Sequence, residues 1–479
     1  MAKKFYITTA IPYVNASPHI GHALEFVLTD TIARYHQLLG EETCLLSGAD
    51  ENSLKNVQAA EKEKMPIQEF IDKNAKKFQE LAKKLSVKID IFQRGSDKKN
   101  HFPSSQKLWQ LCATKGDIYQ KKYKGLYCVG CETFYPSDEL NEKGECFEHP
   151  GKKLTEVSEK NYFFKLSKYQ KQLIDIISKD ELKIYPDFRK NEVLSFLKKP
   201  LLDISISRTN ERARNWGVPV PDDDTQRIYV WFDADNIYQS GVGFGWNEKL
   251  YRKWWPADVH VIGKGIIRFH AIYWIAFLLS AGLTLPKSIF VHGYLTIEGQ
   301  KMSKTLGNVI DPFVLVNKYG TDAIRYYLLR EIPPFDDGDF SYHRLNEIYN
   351  SDLANELGNL VMRITTLAEK DGLTVNNETP LRLSGFAGQA MKQFDNFEFN
   401  IILENIWKQI KTLNKQIDDF APWKKTSQER KEFLTKSLQE INQVGYKLQP
   451  FLPETAEKIL KATTGKISKI SPLFPRLSK

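Results

Sequence analysis

The stretch "PYVNASPHIGHAL", residues 12–24, joins a β-forming segment to a helix and so decides the fold of the chain. Before it, residues 5–10 (FYITTA) have the composition of a strand. After it, apolar residues recur at helical spacing up to Leu39, and Gly40 stands where a helix-ending glycine is expected. Ser17 and Pro18 predict an N-cap and a first-turn proline, which would put two histidines in the first turn.

Residues 42–49 (ETCLLSGA) predict a second strand, which completes a β-α-β unit of the doubly wound type. Such folds bind ligands at the carboxyl ends of their strands, where backbone N–H groups and the helix dipole favour an anion. His19 and His22 would add donors for phosphate oxygens, and Gly21 would let a ligand approach closely. Histidines on helices are usually surface or core residues, so this stretch alone leaves both interpretations open.

Length and composition limit the class of protein. The chain has 479 residues, of which 42% are hydrophobic, and this predicts two to four domains with sizeable cores. A net charge of +9 is compatible with a nucleic-acid partner but is also common without one. Five cysteines, an odd number, argue against a secreted disulfide scaffold. We find no membrane-spanning run and no signal sequence, so we expect a cytoplasmic protein with no membrane partner.

A second motif, "KMSKT" at residues 301–305, follows another predicted strand. Lys301 and Lys304 fall in a loop bracketed by Gly299 and Gly307, and such a mobile stretch of positive charge suits a polyphosphate. A lone basic pentapeptide is usually a solvated loop. The order "HIGH" after the first strand and "KMSKT" late in an α/β region is far more specific than either motif by itself.

Together these motifs resemble the class I aminoacyl-tRNA synthetases, whose signatures have the forms HIGH and KMSKS; Thr305 replaces the last serine and keeps the hydroxyl. Residues 229–240 (YVWFDADNIYQS), 261–274 (VIGKGIIRFHAIYW) and 201–208 (LLDISISR) are similar to the methionyl-tRNA synthetase family. The resemblance covers nearly the whole chain. It implies a ligase that forms methionyl-adenylate from methionine and ATP and transfers methionine to the 3′ end of tRNA(Met).

The resemblance also implies which residues act. The catalytic residues would be His19, His22, Lys301 and Lys304, working with ATP and Mg²⁺. The ATP-binding residues would be Pro12, His19, Gly21, His22, Gly293, Lys301, Met302, Ser303 and Lys304. The methionine-binding residues would be Ile11, Tyr13, Asp50, Trp231, Ala234, Tyr238, Ile266 and His270. A thioether favours aromatic contact, although the apolar residues among them could equally be ordinary core. Asn52 and Gly265 depart from the family pattern at positions that bear on the ATP ribose.

Cys128, Cys131, Cys146 and His149 form a three-cysteine, one-histidine set with fourteen residues between the two pairs. This spacing predicts one structural Zn²⁺ site, and the metal would supply folding free energy to a loop-rich lobe. A disulfide between Cys128 and Cys131 is the competing interpretation. The surrounding insertion, roughly 110 residues, leaves no room for the large editing domain of the isoleucine, valine and leucine enzymes.

After Tyr342 the apolar pattern is helical to the end, which predicts an α-helical bundle. Asn359 and Arg363 would share one helical face, and Trp423 would present an indole after a helix break. These residues match the anticodon-reading positions of the family. As ordinary structural residues, Trp423 would pack between helices and Arg363 would be a solvated charge.

The predicted architecture is therefore a Rossmann-like doubly wound parallel sheet (α/β), interrupted by a zinc-binding insertion and followed by an α-helical bundle that binds the anticodon. Its parts are the first half of the catalytic domain (1–114), the insertion (115–224), the second half (225–290), the KMSKT region (291–345) and the bundle (346–479). We expect a monomer. There are two alternatives. A small-molecule nucleotidylyltransferase would need neither the zinc site nor the bundle. A catalytically silent tRNA-binding relative would not need intact histidines and lysines.

Overall fold

The first quarter of the chain alternates strands and helices, as its apolar pattern predicts. The computed structural model describes residues 3–128, 130, 133–135, 139–146, 151–302, 307–376 and 388–476. In the first quarter the elements are β1 (Lys4–Thr8), α1 (Ile20–Leu38), β2 (Glu42–Ala49), α2 (Leu54–Lys62), α3 (Ile67–Lys84), β3 (Ile91–Arg94) and α4 (His101–Thr114). Helix α1 ends as expected, because Gly40 adopts a left-handed conformation with φ of 80° just after the helix.

The insertion is mainly antiparallel. Its elements are β4 (Ile118–Cys128), β5 (Thr133–Tyr135), β6 (Thr155–Phe164), α5 (Gln170–Ser178), β7 (Lys183–Tyr185), α6 (Asp187–Phe196), β8 (Ile204–Ser205), β9 (Ser207–Thr209), α7 (Asn210–Ala213), β10 (Pro219–Val220) and β11 (Asp223–Ile228). Strands β5, β4, β6 and β8 form one sheet in that order, and β10, β11 and β9 form another. Strand β7 leaves the insertion to join the central sheet, which the sequence pattern did not predict.

The chain then returns to the central sheet. This part holds α8 (Val230–Ala234), α9 (Ile237–Ser240), α10 (Glu248–Trp254), β12 (Val259–Gly263), α11 (Trp274–Ala281) and β13 (Ser288–His292). A π-helical turn over Phe269–Tyr273 precedes α11. The sheet has the order β3-β2-β1-β12-β13-β7, and every neighbouring pair is parallel. The doubly wound sheet is confirmed, and its direction of winding switches between β1 and β12.

Both faces of this sheet are covered, as all-parallel sheets require. Alternate residues of one strand enter different cores: Ile7 and Val261 face the core beneath α1 and α3, whereas Tyr6 and Ile262 face the core beneath α4 and α11. The first of these cores continues without a break into the C-terminal helices. The helical half of the chain is therefore packed directly onto the sheet that carries the switch point.

A small mixed sheet follows β13. The elements here are β14 (Leu295–Ile297), β15 (Gln300–Lys301), α12 (Pro312–Tyr319), α13 (Thr321–Arg330), β16 (Gly338–Phe340) and α14 (Tyr342–Ile348). Strand β14 pairs with β15 in antiparallel and with β16 in parallel orientation. Glu298 and Gly299, with φ of 48° and 74°, form the two-residue turn between β14 and β15, a conformation typical of tight hairpins.

The C-terminal part is helical, as predicted. A π-helical segment over Tyr349–Gly358 runs into α15 (Asn359–Lys370), followed by β17 (Thr374–Val375), α16 (Gln389–Asp395), α17 (Phe399–Phe420), α18 (Ser427–Leu448), α19 (Pro453–Ala462) and β18 (Gly465–Lys466). Thr426 and Glu429 form a capping box at the start of α18. No helix in the described part of the chain is long and apolar enough to cross a membrane.

Candidate active site

The two histidines of the opening motif lie at the start of α1, but in a different arrangement from the predicted one. His19 is itself the N-cap, and Ser17 is not. Its Nδ1 accepts a hydrogen bond from the Gly21 N–H at 3.1 Å, while His22 Nδ1 accepts one from the His19 N–H at 3.1 Å. The two imidazoles thus replace the usual Ser/Glu pair of a capping box. Because each Nδ1 is an acceptor, each neutral ring carries its proton on Nε2.

Gly21 leaves room for the His19 ring. A Cβ atom there would lie 3.0 Å from that ring, so a larger residue would require the imidazole to shift by a few tenths of an ångström. The rings of His19 and His22 are 3.9 Å apart, and Phe78 packs edge-on against His22 at 4.9 Å. Burial, with a smaller effect of the neighbouring imidazoles, lowers the pKa of His22 well below its ordinary value. His22 is therefore a neutral hydrogen-bond donor at neutral pH.

Two residues that the sequence did not single out connect α1 to the sheet at the switch point. Glu25 Oε1 accepts a hydrogen bond from the Ala10 N–H at 2.9 Å, and Glu25 Oε2 lies 3.1 Å from His292 Nε2. His292 Nδ1 contacts the Gly293 carbonyl at 2.8 Å. A Cβ on Gly293 would fall 2.1 Å from the carbonyl oxygen of Asp336, which explains the glycine. The "VHG" run at the end of β13 was the only sequence signal for His292.

The lysine motif lies close to this helix start. Lys301 is exposed at the end of β15, and a Cβ placed on Gly21 would lie 4.0 Å from the Met302 methyl group. The Ile20 N–H donates to the Ile310 carbonyl at 3.2 Å, which fixes the segment after the motif against α1. The structure thus brings the two motifs together. Ser303 and Lys304 lie outside the described residues.

A cluster of aromatic side chains, the predicted aromatic pocket, lies against Tyr13. Trp231 is the centre of it: Phe269 stacks on its ring at 3.7 Å, and Tyr13 meets it edge-on at 6.3 Å. His270 lies edge-on to the same indole at 6.4 Å. The predicted residues Trp231 and Tyr238 are buried in one apolar core, against which Ile11, Tyr13 and Ile266 pack, and Ala234 is buried as well. The structure therefore brings these predicted residues together around Trp231 and adds Phe269 to the cluster.

The polar groups of this pocket have defined hydrogen-bonding roles. His270 Nδ1 lies 2.9 Å from the Ile266 carbonyl and must donate, because a carbonyl oxygen can only accept. His270 Nε2 is then the acceptor for the Tyr238 hydroxyl at 2.7 Å. Burial lowers the pKa of His270 to about 4, so the ring is neutral at physiological pH. The contact with Tyr238 is consequently a hydrogen bond between neutral groups.

The acidic end of the pocket is formed at the carboxyl end of β2. Asp50 is buried there and forms a bridge with Tyr13, with the Asp50 N–H donating to the Pro12 carbonyl at 2.9 Å. Asn52, where the family more often has histidine, donates through Nδ2 to Gly95 O and to Asp233 Oδ2, each at 2.7 Å. Asn52 therefore has a structural role between β2 and the pocket wall.

Only half of the predicted metal set can be described. Cys128 and Cys146 are buried and face each other with their sulfur atoms 3.2 Å apart, too far for the roughly 2.05 Å bond of a disulfide. Cys131 and His149 lie outside the described residues. Within the described ranges, no three His, Cys, Asp or Glu side chains come together in a way that could hold a metal ion. Two adjacent thiols at the tip of a hairpin nevertheless fit the soft ligands that Zn²⁺ prefers.

The three predicted anticodon residues lie on the helical bundle. Arg363 Nη2 donates to Asp418 Oδ1 at 2.7 Å, so α15 and the end of α17 are tied together. Helix α17 ends at Phe420, and its C-cap Ala421 has a left-handed φ of 49°; Trp423 follows with 55% of its surface exposed. Asn359, partly buried, begins α15 one turn before Arg363. The contact with Asp418 holds Arg363 against the last turn of α17, the helix that Trp423 follows.

Comparison with known proteins identifies the family of this chain. Residues 5–365 match the family model described as tRNA synthetases class I (M). The structure resembles the Mycobacterium tuberculosis methionyl-tRNA synthetase in complex with methionyl-adenylate, with a TM-score of 0.91, 37% identity, and coverage of 99% of this chain and 100% of that chain. For the apo form of the same enzyme the TM-score is 0.83 at 34% identity, with coverage of 100% and 99%. The chain therefore belongs to the class I tRNA synthetases.

Two curated relatives define the branch of that class. The methionine–tRNA ligase of Thermotoga maritima is 42% identical over 475 residues, which cover 96% of this chain and 75% of the relative. The Brucella suis methionine–tRNA ligase is 39% identical over 473 residues, with coverage of 96% and 91%. Within the class, the chain belongs to the methionine–tRNA ligase family.

Proposed function

We propose that this chain activates methionine with ATP and transfers it to the 3′ end of tRNA(Met), with the first step at the switch point between β1 and β12. One observation carries the proposal: residues 11–22 have the aromatic pocket on one side and the histidine-capped helix start on the other. Tyr13 touches Trp231, while His19 and His22 begin α1 a few residues later. A substrate side chain held by Trp231 would therefore direct its carboxylate towards phosphates held at α1.

The chemistry needs no enzyme nucleophile. An oxygen of the methionine carboxylate attacks the α-phosphorus of ATP in line, forming a new O–P bond while the bond from the α-phosphorus to the bridging oxygen breaks and pyrophosphate leaves. His19 and His22 carry their protons on Nε2 and so can donate hydrogen bonds to phosphate oxygens. Positive charge from Lys301 and Lys304 stabilises the charge that develops on the leaving pyrophosphate. The remaining ATP contacts are assigned to Pro12, Gly21, Gly293, Met302 and Ser303.

Specificity for methionine is assigned to the aromatic pocket. The rings of Tyr13 and Trp231 give the favourable contacts that a polarizable thioether makes with aromatic groups. Asp50, buried at the end of β2, is assigned to the substrate's ammonium group. The remaining side-chain contacts are assigned to Ile11, Ala234, Tyr238, Ile266 and His270.

Two metal ions are part of the proposal. Mg²⁺ bound with ATP would neutralise phosphate charge during adenylate formation. One Zn²⁺ held by Cys128, Cys131, Cys146 and His149 would have a structural role, and the buried pair Cys128 and Cys146 supports it. A metal there would hold the end of β4 to the loop that precedes β6.

The tRNA is assigned to the helical half of the chain, with Asn359, Arg363 and Trp423 reading the anticodon. Unpaired RNA bases are commonly recognised by aromatic stacking and by hydrogen bonds to their edges, and these three side chains offer both. In the second step, the terminal ribose 2′-hydroxyl of the tRNA attacks the carbonyl carbon of the adenylate and AMP leaves. We further propose a monomer in the cytoplasm, divided at the boundaries predicted from the sequence.

The lysine motif gives the sharpest test of the active-site assignment. Methionine-dependent ATP–pyrophosphate exchange should fall about 10²- to 10³-fold in Lys301→Ala and in Lys304→Ala, with a smaller change in methionine affinity, because the lysines act chiefly on charge in the transition state. Lys98→Ala, which removes an exposed lysine elsewhere, is the matched control. Normal exchange in both motif variants, with weakened methionine binding, would show that the phosphates are held elsewhere.

A further inference from the structure

The wall of the aromatic pocket contains a buried acid, Asp235, that the proposed mechanism does not use. It follows Ala234 at the end of α8, and the residue is 1% exposed. Its Oδ1 lies 3.8 Å from His270 Nε2, beyond hydrogen-bonding distance, and its Oδ2 has no hydrogen-bond partner among the described residues. A buried polar atom without a partner is costly and requires an explanation.

The neighbouring polar side chains cannot satisfy this carboxyl. His270 Nδ1–H is used by the Ile266 carbonyl, and the Tyr238 hydroxyl proton is used by His270 Nε2. The lone pair of His270 Nε2 is therefore already occupied by Tyr238. His270 and Tyr238 therefore have no hydrogen-bonding group left with which to pair the Asp235 carboxyl.

The charge state of Asp235 follows from its surroundings. Burial raises the pKa of this carboxyl well above its ordinary value, and no cation in the described part of the chain offsets the effect. His270 is neutral, and burial raises the pKa of Tyr238 as well, so neither neighbour stabilises a carboxylate. The neutral form of Asp235, which burial favours, has one O–H donor that neither His270 nor Tyr238 uses.

We propose that Asp235 is a specificity-determining residue of the amino-acid pocket and that its O–H donates a hydrogen bond to the thioether sulfur of bound methionine. The inference rests on the proposed function, because the pocket must hold the methionine side chain. Sulfur in a thioether is a weak acceptor, whereas the methylene group that norleucine has in its place accepts nothing. Norleucine would thus leave the buried donor without a partner, and a site that hydrogen-bonds its substrate rejects the analogue lacking that group.

The first test compares methionine and norleucine in ATP–pyrophosphate exchange, as the ratio of their kcat/KM values. Asp235→Leu should reduce that ratio about five- to tenfold, since one net hydrogen bond is lost and an apolar wall suits norleucine. Asp235→Asn, which keeps a neutral donor of similar size, should retain most of the discrimination. If Asp235→Leu exchanges methionine normally and its ratio is unchanged, the hydrogen bond does not exist.

A second measurement uses the unaltered protein, so it does not depend on a variant that folds. Infrared difference spectra should show the C=O stretch of a protonated carboxyl that shifts on addition of methionine and stays in place on addition of norleucine. The band should be missing from Asp235→Asn. A shift with both ligands, or with neither, contradicts the proposal. If the unaltered protein shows no methionine-dependent exchange at all, the proposed function fails; if it shows exchange but no selective shift, only the role of Asp235 fails.

Discussion

Arg325 on α13 and Asp30 on α1 form a fully buried ion pair, with Nη1 2.7 Å from Oδ2. The same guanidinium donates from Nε to the Phe451 carbonyl at 2.7 Å and from Nη2 to the Pro450 carbonyl at 2.9 Å, between α18 and α19. It also contacts the Leu85 carbonyl at 3.1 Å. One side chain thus holds three parts of the fold at fixed positions relative to α1.

Removing this guanidinium should be strongly destabilising. We expect Arg325→Leu to lower the free energy of unfolding by about 3–5 kcal/mol, because the Asp30 carboxylate and three backbone carbonyls would lose a buried partner. Urea unfolding followed by circular dichroism measures this. Arg252→Leu, which breaks the exposed pair with Glu248, should cost less than about 1 kcal/mol. Equal effects of the two substitutions would mean that the buried pair does not stabilise the packing of α13 on α1.

The neutral state of Asp235 predicts a pH dependence of stability. With a neutral Asp235, the folded protein keeps a proton that the unfolded chain releases above an ordinary pKa of about 3.9. The free energy of unfolding should therefore fall by about 1.4 kcal/mol for each further pH unit, until the raised pKa of the folded state is reached. Asp235→Asn has no such proton. Between about pH 5 and pH 7, where His270 and Tyr238 stay neutral, the variant should gain stability relative to the unaltered protein as pH rises. If the difference in free energy of unfolding between the unaltered protein and Asp235→Asn is the same at every pH, Asp235 is ionised in the folded state.

Zinc content tests the insertion. The purified protein should hold about one Zn²⁺ per chain, and Cys146→Ser should lose most of it, because thiolate ligands are replaced by a much weaker hydroxyl. Cys44→Ser removes a buried thiol outside the predicted set and should keep its metal. Elemental analysis gives the result. Absence of metal, together with a disulfide between Cys128 and Cys131 found by mass spectrometry, would support the competing interpretation.

The exposed indole of Trp423 tests anticodon reading. Trp423→Ala should reduce charging of a CAU-anticodon tRNA about ten- to a hundredfold, because stacking on an aromatic ring contributes about 1–3 kcal/mol per base. Methionine-dependent pyrophosphate exchange should be nearly unchanged in the same preparation. Trp423→Phe should recover part of the charging, and Lys424→Ala, which removes a neighbouring charge, should have a small effect. If Trp423→Ala keeps full charging and full anticodon preference, Trp423 does not read the anticodon and has only a structural role.

The sequence predicted those features that depend on periodicity and on local motifs. The bounds of β2 agree with the predicted segment 42–49, and Gly40 ends α1 as expected, because these signals are local. Strand β7 was missed, since a three-residue strand within an insertion has too little pattern to indicate which sheet it joins.

The site shows the same division between local and long-range signals. His19 was expected inside the first turn but is the cap itself, because its ring reaches the backbone N–H that Ser17 was expected to satisfy. Asp235, Glu25 and Arg325 were not identified at all. Their roles depend on partners distant in sequence, and an isolated acidic or basic residue gives no local sign of burial.

The central claim is that this chain selects methionine and activates it with ATP. The most direct measurement is ATP–pyrophosphate exchange on the purified protein with each of the twenty amino acids in turn. We predict exchange with methionine alone. Exchange driven by a different amino acid would contradict the pocket assignment, and absence of exchange with all twenty, in a folded and zinc-loaded preparation, would contradict the assignment of activity itself.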